Sequence, residues 1–275
     1  MSSVRSVFLT TAVALVALSA VPATAAPAVA TSVATTPQIP TANYMPVGGH
    51  VPAPTGFLEL CVRSPVDCQA QPDVSFDHIV GLARTALIEK RQSTIRTAKV
   101  DGHANAPAQA EVAPVVAAIA DSAHQAEYVR VNLDAPNMAL VVGINDRVNH
   151  AIKAETDQQI YHVADYWIAP GIQPGARGDC EDFALEKRRL LIESGIAAAS
   201  LSIAIVRTPA GEAHAVLVVS AKQGDYVLDN LQPDVKAWQM TDYSWISRQG
   251  PGNDLNWVSL APANTPKTEK VATAR

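Results

Sequence analysis

Three short apolar runs, 201–206, 214–219 and 226–231, follow one another and are separated by Pro-Ala-Gly and Gly-Asp turn residues. Runs of this length and β-branched content, closed by turn signals, predict neighbouring antiparallel strands of one sheet. Upstream, the apolar spacing predicts helices. One covers 76–95, with Ile79, Leu82, Ala83, Ala86 and Leu87 on one face. A second covers 138–154, through Leu140, Val141, Ile144, Val148 and Ile152. A third begins at Cys180 and stops at Gly195, a residue suited to ending a helix. Helices first and strands after predict an α+β fold, with N-terminal helices packed on an antiparallel sheet, and not alternating βαβ units.

Composition matters most at the ends of the chain. Arg5, an uncharged apolar run over 7–20 and the small residues Ala23-Thr24-Ala25 predict a signal peptide over 1–25, and so a periplasmic or secreted protein. A membrane anchor is the competing reading. The run is too short, and too rich in Ala and Thr, to span ~30 Å of hydrocarbon comfortably. Residues 26–56 are rich in Pro, Ala and Thr with almost no charge, which predicts a disordered leader. The folded domain is expected over 57–261, with an Ala-rich insertion at about 97–125 and a flexible tail over 262–275. A net charge of −5 leaves no basic footprint for nucleic acid.

Export gives the three cysteines a meaning. Cys61 and Cys68 bracket a short loop, and in an oxidising compartment thiols so close in sequence are expected to be bridged. Two independent buried thiols are the alternative. Zinc is disfavoured, because no second Cys or His pair stands at ligand spacing. A Cys61–Cys68 bridge leaves Cys180 as a free thiol, either buried and inert or chemically employed.

Cys180 stands where a Gly- and Pro-bearing stretch, 170–178, passes into a helix. The positive end of the helix dipole and its unpaired N–H groups favour a thiolate there, and the same groups can hold an oxyanion. Read alone, Asp179-Cys180-Glu181-Asp182 is equally an acidic helix cap over a small buried thiol. His214 and Asp229 tip the balance. One begins an apolar run and the other ends the next, so a hairpin would set them side by side as base and orienting carboxylate. Asp179, Glu181 and Asp182 oppose thiolate formation unless a cation offsets them. Ca²⁺ would serve, but residue types alone favour simple capping or pairing with Arg177, Lys187 or Arg188. Trp167 and Trp238 are candidates to wall a cleft, with core packing the commoner use of such residues.

The runs Gly178-Asp179-Cys180-Glu181-Asp182-Phe183-Ala184-Leu185-Glu186-Lys187, Glu212-Ala213-His214-Ala215-Val216-Leu217-Val218 and Val227-Leu228-Asp229-Asn230-Leu231 resemble the bacterial transglutaminase-like cysteine proteinases. So do Val148-Asn149, Tyr161, Asp165 and Trp167-Ile168-Ala169-Pro170, so the resemblance covers about 138–260 and the Cys61–Cys68 segment. It implies a papain-like, transglutaminase-like fold and a Cys180–His214–Asp229 triad. It also implies calcium dependence, with Asp179, Glu181 and Asp182 as ligands. A large surface adhesin is the implied substrate, and an inner-membrane cyclic-di-GMP receptor the implied regulator, with biofilm dispersal as the outcome. A transglutaminase or other acyl transferase on the same triad, or a catalytically silent calcium-stabilised peptide-binding module, stand as alternatives.

Overall fold

The computed structural model describes residues 42–68, 75–100, 127–252 and 255–260. The stretches expected to be a signal peptide, most of the leader, the insertion beyond residue 100 and the tail beyond 260 lie outside the described residues. In chain order the elements are β1 (His50–Val51), α1 (Thr55–Arg63), α2 (Pro65–Cys68) and α3 (Phe76–Val100). Then come α4 (Ala135–Ala151), β2 (Lys153–Ala154), α5 (Asp157–Ile160), β3 (Arg177–Gly178) and α6 (Cys180–Glu193). The chain closes with β4 (Leu201–Arg207), β5 (Ala213–Ala221), β6 (Gly224–Leu228), β7 (Lys236–Ala237), β8 (Ser244–Gln249) and β9 (Trp257–Ser259).

The architecture is α+β. Seven strands form one antiparallel sheet in the order β1-β9-β8-β4-β5-β6-β7, and β2 and β3 form a small parallel pair. The period of two along β5 sorts its side chains onto two faces. Leu217 and Val219 meet Met138, Val141, Ile144 and Val148 of α4 and Phe183, Ala184 and Leu191 of α6. Toward the β1 end, Phe57, Leu58 and Leu60 of α1 close with Trp167, Ile203, Ala215 and Trp257 into a second cluster. On the opposite face Val216 and Val218 join Ala204, Val206 and Val227 under Met45 and Leu260.

α4 starts three residues earlier than its apolar spacing predicts, because Asp134 accepts from the Asn137 N–H and Pro136 suits the first turn. α3 runs on to Val100, into the stretch expected to be a loose insertion. β6 ends at Leu228, three residues short of the apolar run, where the chain turns out with Asp229. The leader also needs correction at its end. Ala42, Met45 and Ala53 are buried, and β1 pairs with β9. A disordered segment would bury none of these, so the ordered part begins by residue 42 and not at Phe57. No apolar run marks strands β8 and β9, because Ser244, Ser247, Arg248 and Gln249 interrupt the first and the second is three residues long. Cys61 and Cys68 are joined by a disulfide, with Cα atoms 5.0 Å apart, between α1 and α2. Among the described residues no helix is long and apolar enough to cross a membrane.

Candidate active site and acidic cluster

Cys180 is the first residue of α6. Asp179 caps that helix in a box with Asp182, whose carboxylate accepts from the Asp179 N–H at 3.3 Å. Gly178 makes the box possible, since a Cβ there would fall 2.6 Å from the Asp182 side chain. The thiol is half-buried and donates to the Glu181 carboxylate at 3.0 Å, while the Ala215 amide of β5 favours its thiolate. Ala215 is the strand residue next to His214.

His214, the second residue of β5, and Asp229, the first after β6, meet diagonally beyond the last paired residues, Leu217 and Leu228, at the open end of the hairpin: Nε2 lies 2.8 Å from Oδ1. Both are almost fully buried, at 5% and 2% exposure, so the pair sits in low dielectric and is shielded from water. Leu231 N–H donates to the same carboxylate at 2.9 Å, and the Tyr243 hydroxyl donates to its other oxygen. Asn149 of α4 fixes the Asp229 carbonyl at 2.8 Å. Burial pushes the Asp229 carboxyl up, yet the bonds from His214, Tyr243 and Leu231 outweigh it and hold it below its ordinary value. Tyr243 also meets the His214 ring edge-on at 5.7 Å. Sequence reasoning missed Tyr243 because nothing in an isolated tyrosine marks which carboxylate it will reach.

The thiol itself is held protonated. Burial, then the Glu181 carboxylate at 3.0 Å, drives its pKa well above the usual thiol range. Burial is the main force raising the carboxyls of Glu181 and Asp179, and for Glu181 the Asp179 charge adds to it. Burial also lifts Asp182 to about 8 and Asp157 to about 6, with neighbouring carboxylates adding to it.

Asp157, from α5, belongs to this cluster and was not anticipated: Thr156-Asp157 through Gln159 reads only as a capping box. Carboxylate oxygens of Asp157, Asp179 and Asp182 lie within 4.8 Å of one another, as do those of Asp157, Asp165 and Glu181. One oxygen each of Asp157 and Asp179 is buried without any hydrogen-bond partner. Orphaned, converging, hard oxygen donors fit a divalent cation such as Ca²⁺. The basic neighbours do not fill that role. Arg177 pairs with Glu155 at 3.1 Å, Arg188 donates to the Asp67 carbonyl, and Lys187 is buried with its amine pushed down to about 7 by burial and partly restored by Asp229. The expected pairing of the acidic run with Arg177, Lys187 or Arg188 is therefore not what forms, although the capping expectation holds for Asp179 and Asp182. Trp167 is a core residue, 3% exposed and 5.7 Å edge-on from Phe57.

Residues 118–265, more than half of the chain, match the family model described as bacterial transglutaminase-like cysteine proteinase. Among solved structures, Legionella pneumophila LapG in its EGTA-treated form shares 26% identity over 40% of this chain and 62% of its own, with a TM-score of 0.35. The alignment thus spans less than two thirds of that protein. The calcium-bound form of Legionella pneumophila LapG shares 22% identity over 58% of this chain and 82% of its own, with a TM-score of 0.37. No curated protein matches the sequence significantly. On the strength of the family match, the chain belongs to the bacterial transglutaminase-like cysteine proteinases.

Proposed function

We propose that this chain is an exported cysteine endopeptidase in which Cys180 is the nucleophile, His214 the base and Asp229 the residue that orients the base. What supports this most is the buried His214–Asp229 pair, set one residue along β5 from the Ala215 amide that favours the Cys180 thiolate. With Nε2 of His214 engaged by Asp229, Nδ1 takes the thiol proton. The thiolate attacks a peptide carbonyl, and N–H groups at the start of α6 hold the oxyanion. The C–N bond breaks, the imidazolium protonates the departing amine, and water hydrolyses the thioester to release the acid and restore the thiol.

The acidic cluster makes the reading calcium-dependent, with Asp157, Asp179, Glu181 and Asp182 as the residues that would hold the ion. Bound there, Ca²⁺ supplies positive charge that offsets the carboxylates opposing a thiolate. The substrate is a protein, with a large surface adhesin the first to try, and a cyclic-di-GMP receptor of the inner membrane the first candidate regulator.

The test incubates the mature chain with a candidate exported protein, in Ca²⁺ and in chelator. Fragments that form in Ca²⁺, and vanish with Cys180→Ala and with His214→Ala, are the expected result. Cross-linked or amidated products point instead to an acyl transferase on the same residues. Binding without either product leaves a silent peptide-binding module.

A further inference from the structure

His214 is one end of an aromatic row. Val206 of β4 stands opposite His214 of β5 and opposite Trp245 of β8, so the three occupy one line across three strands. Residues directly opposed in paired strands project from the same face. A bulge at Ile205/Val206 sets this register by skipping Ile246. On the same face Trp238 meets Trp245 edge-on at 6.1 Å, as Tyr243 meets His214.

Tyr243 has a clear purpose, since it bonds Asp229. The two tryptophans rest on Val206, Val216 and Val218 yet stay only half-buried. Met240 and Leu231 are 61% and 53% exposed. Adjacent strands lie ~4.8 Å apart, which puts Trp245 about 10 Å from His214, or about three residues of an extended chain at ~3.3 Å each.

We propose that Trp245, flanked by Trp238, forms a specificity subsite for an apolar or aromatic side chain about three residues from the scissile bond of an extended polypeptide. The assignment rests on the peptidase reading above and on the alignment of half-buried Trp245 with His214 across Val206. An apolar group seated against such rings discriminates roughly 10- to 200-fold between substrates.

The wild-type chain, Trp245→Ala, Trp245→Leu and Cys180→Ala are each incubated in Ca²⁺ with a tryptic peptide library from a bacterial lysate, and cleavage sites are read by mass spectrometry. Wild-type cuts are expected to show at least tenfold enrichment of Trp, Phe, Tyr, Leu or Met at one position two to four residues from the bond. In Trp245→Ala the enrichment should fall to twofold or less. Enrichment that is absent from the wild type, or equal in both, overturns the subsite and leaves the peptidase reading standing. If circular dichroism shows Trp245→Ala to be unfolded, Trp245→Leu decides. Its preference should pass from aromatic to aliphatic residues, and an unchanged aromatic preference overturns the proposal. If no cleavage depends on Cys180, the peptidase reading fails. The surface is then tested by titrating the Cys180→Ala chain with N-acetyl-Ala-Ala-Ala-Phe amide and N-acetyl-tetra-Ala amide, following tryptophan fluorescence. At least tenfold tighter binding of the Phe peptide, lost when Trp245→Leu is added, keeps the subsite as a peptide-binding one; equal binding overturns it.

Discussion

At the scale of single residues, the carboxylate of Asp229 carries the most instructive set of bonds. It is buried, which favours its neutral form, but His214, Tyr243 and the Leu231 N–H together hold it ionised. A folded-state pKa below the unfolded one contributes stability above about pH 3.9, and that stability is lost as pH falls through the folded value. Tyr243→Phe removes one charge-assisted bond and should cost about 1–2 kcal/mol in urea unfolding at pH 7. The deficit should shrink as pH falls through the folded-state value of Asp229, below which both forms hold it protonated. Peptidase kcat should fall about tenfold with KM little changed, because the phenol acts through Asp229 on the base and touches no substrate. An unchanged kcat would show that His214 and Leu231 position Asp229 unaided. None of this could be read from position 243 in the sequence, whereas His214 and Asp229 were legible from their places at the two ends of a hairpin.

At the scale of elements, the start of α6, the short α5 and the loop through Asp165 converge on one acidic cluster. Burial raises the folded-state pKa of Asp157, Asp179, Glu181 and Asp182 above their unfolded values. The native state therefore binds more protons, so without a divalent ion stability should be highest near pH 4 and decline as pH rises through about 6 to 8. Thermal melts in chelator should show that decline. Millimolar Ca²⁺ should raise Tm far more at pH 8 than at pH 5, by mass action on the native state. A Ca²⁺ effect independent of pH, or equal in Asp157→Asn, would remove Asp157 from the ligand set. The α1–α2 corner offers a separate test. Its disulfide closes a loop of sequence separation 7, and the double variant Cys61→Ala/Cys68→Ala should lose about 2 kcal/mol through the unfolded chain. Denaturant unfolding reads that loss, and activity at low temperature should survive it.

At the scale of the whole molecule, the stretch 42–54 changes what counts as the domain. Met45 N–H donates to Asp225 at 2.8 Å, and Asp225 N–H donates to the Asn43 carbonyl at 3.1 Å. Arg248, fully buried, bonds the same Asp225 carboxylate along with Ser202 and Ser220, tying β8, β4 and β5 to the strap. Gly224, at φ +120°, admits the strap because a Cβ there would stand 2.1 Å from the Ala42 carbonyl oxygen. A chain beginning at Phe57 loses Met45, Ala53 and β1, and strips a partner from the Arg248–Asp225 network. It should melt at least 10 °C below a chain that keeps residues 42–56, or be recovered as aggregate. Equal melting would return those residues to the leader.

What the sequence by itself determined was local: the turn residues and alternation that make β4, β5 and β6 a meander, and the spacing that makes α4 and α6 helices. It also determined the juxtaposition of His214 and Asp229, since a hairpin register is set by a few residues of chain. Tertiary structure decided the rest, because it joins residues with no sequence relation. Asp157 reached the Cys180 helix through the β2–β3 pairing, and Tyr243 reached Asp229 across a loop. The strap at 42–45 found β6 although its composition reads as unstructured. Each of these depends on burial and on long-range closure, and neither is written in any short window of residues.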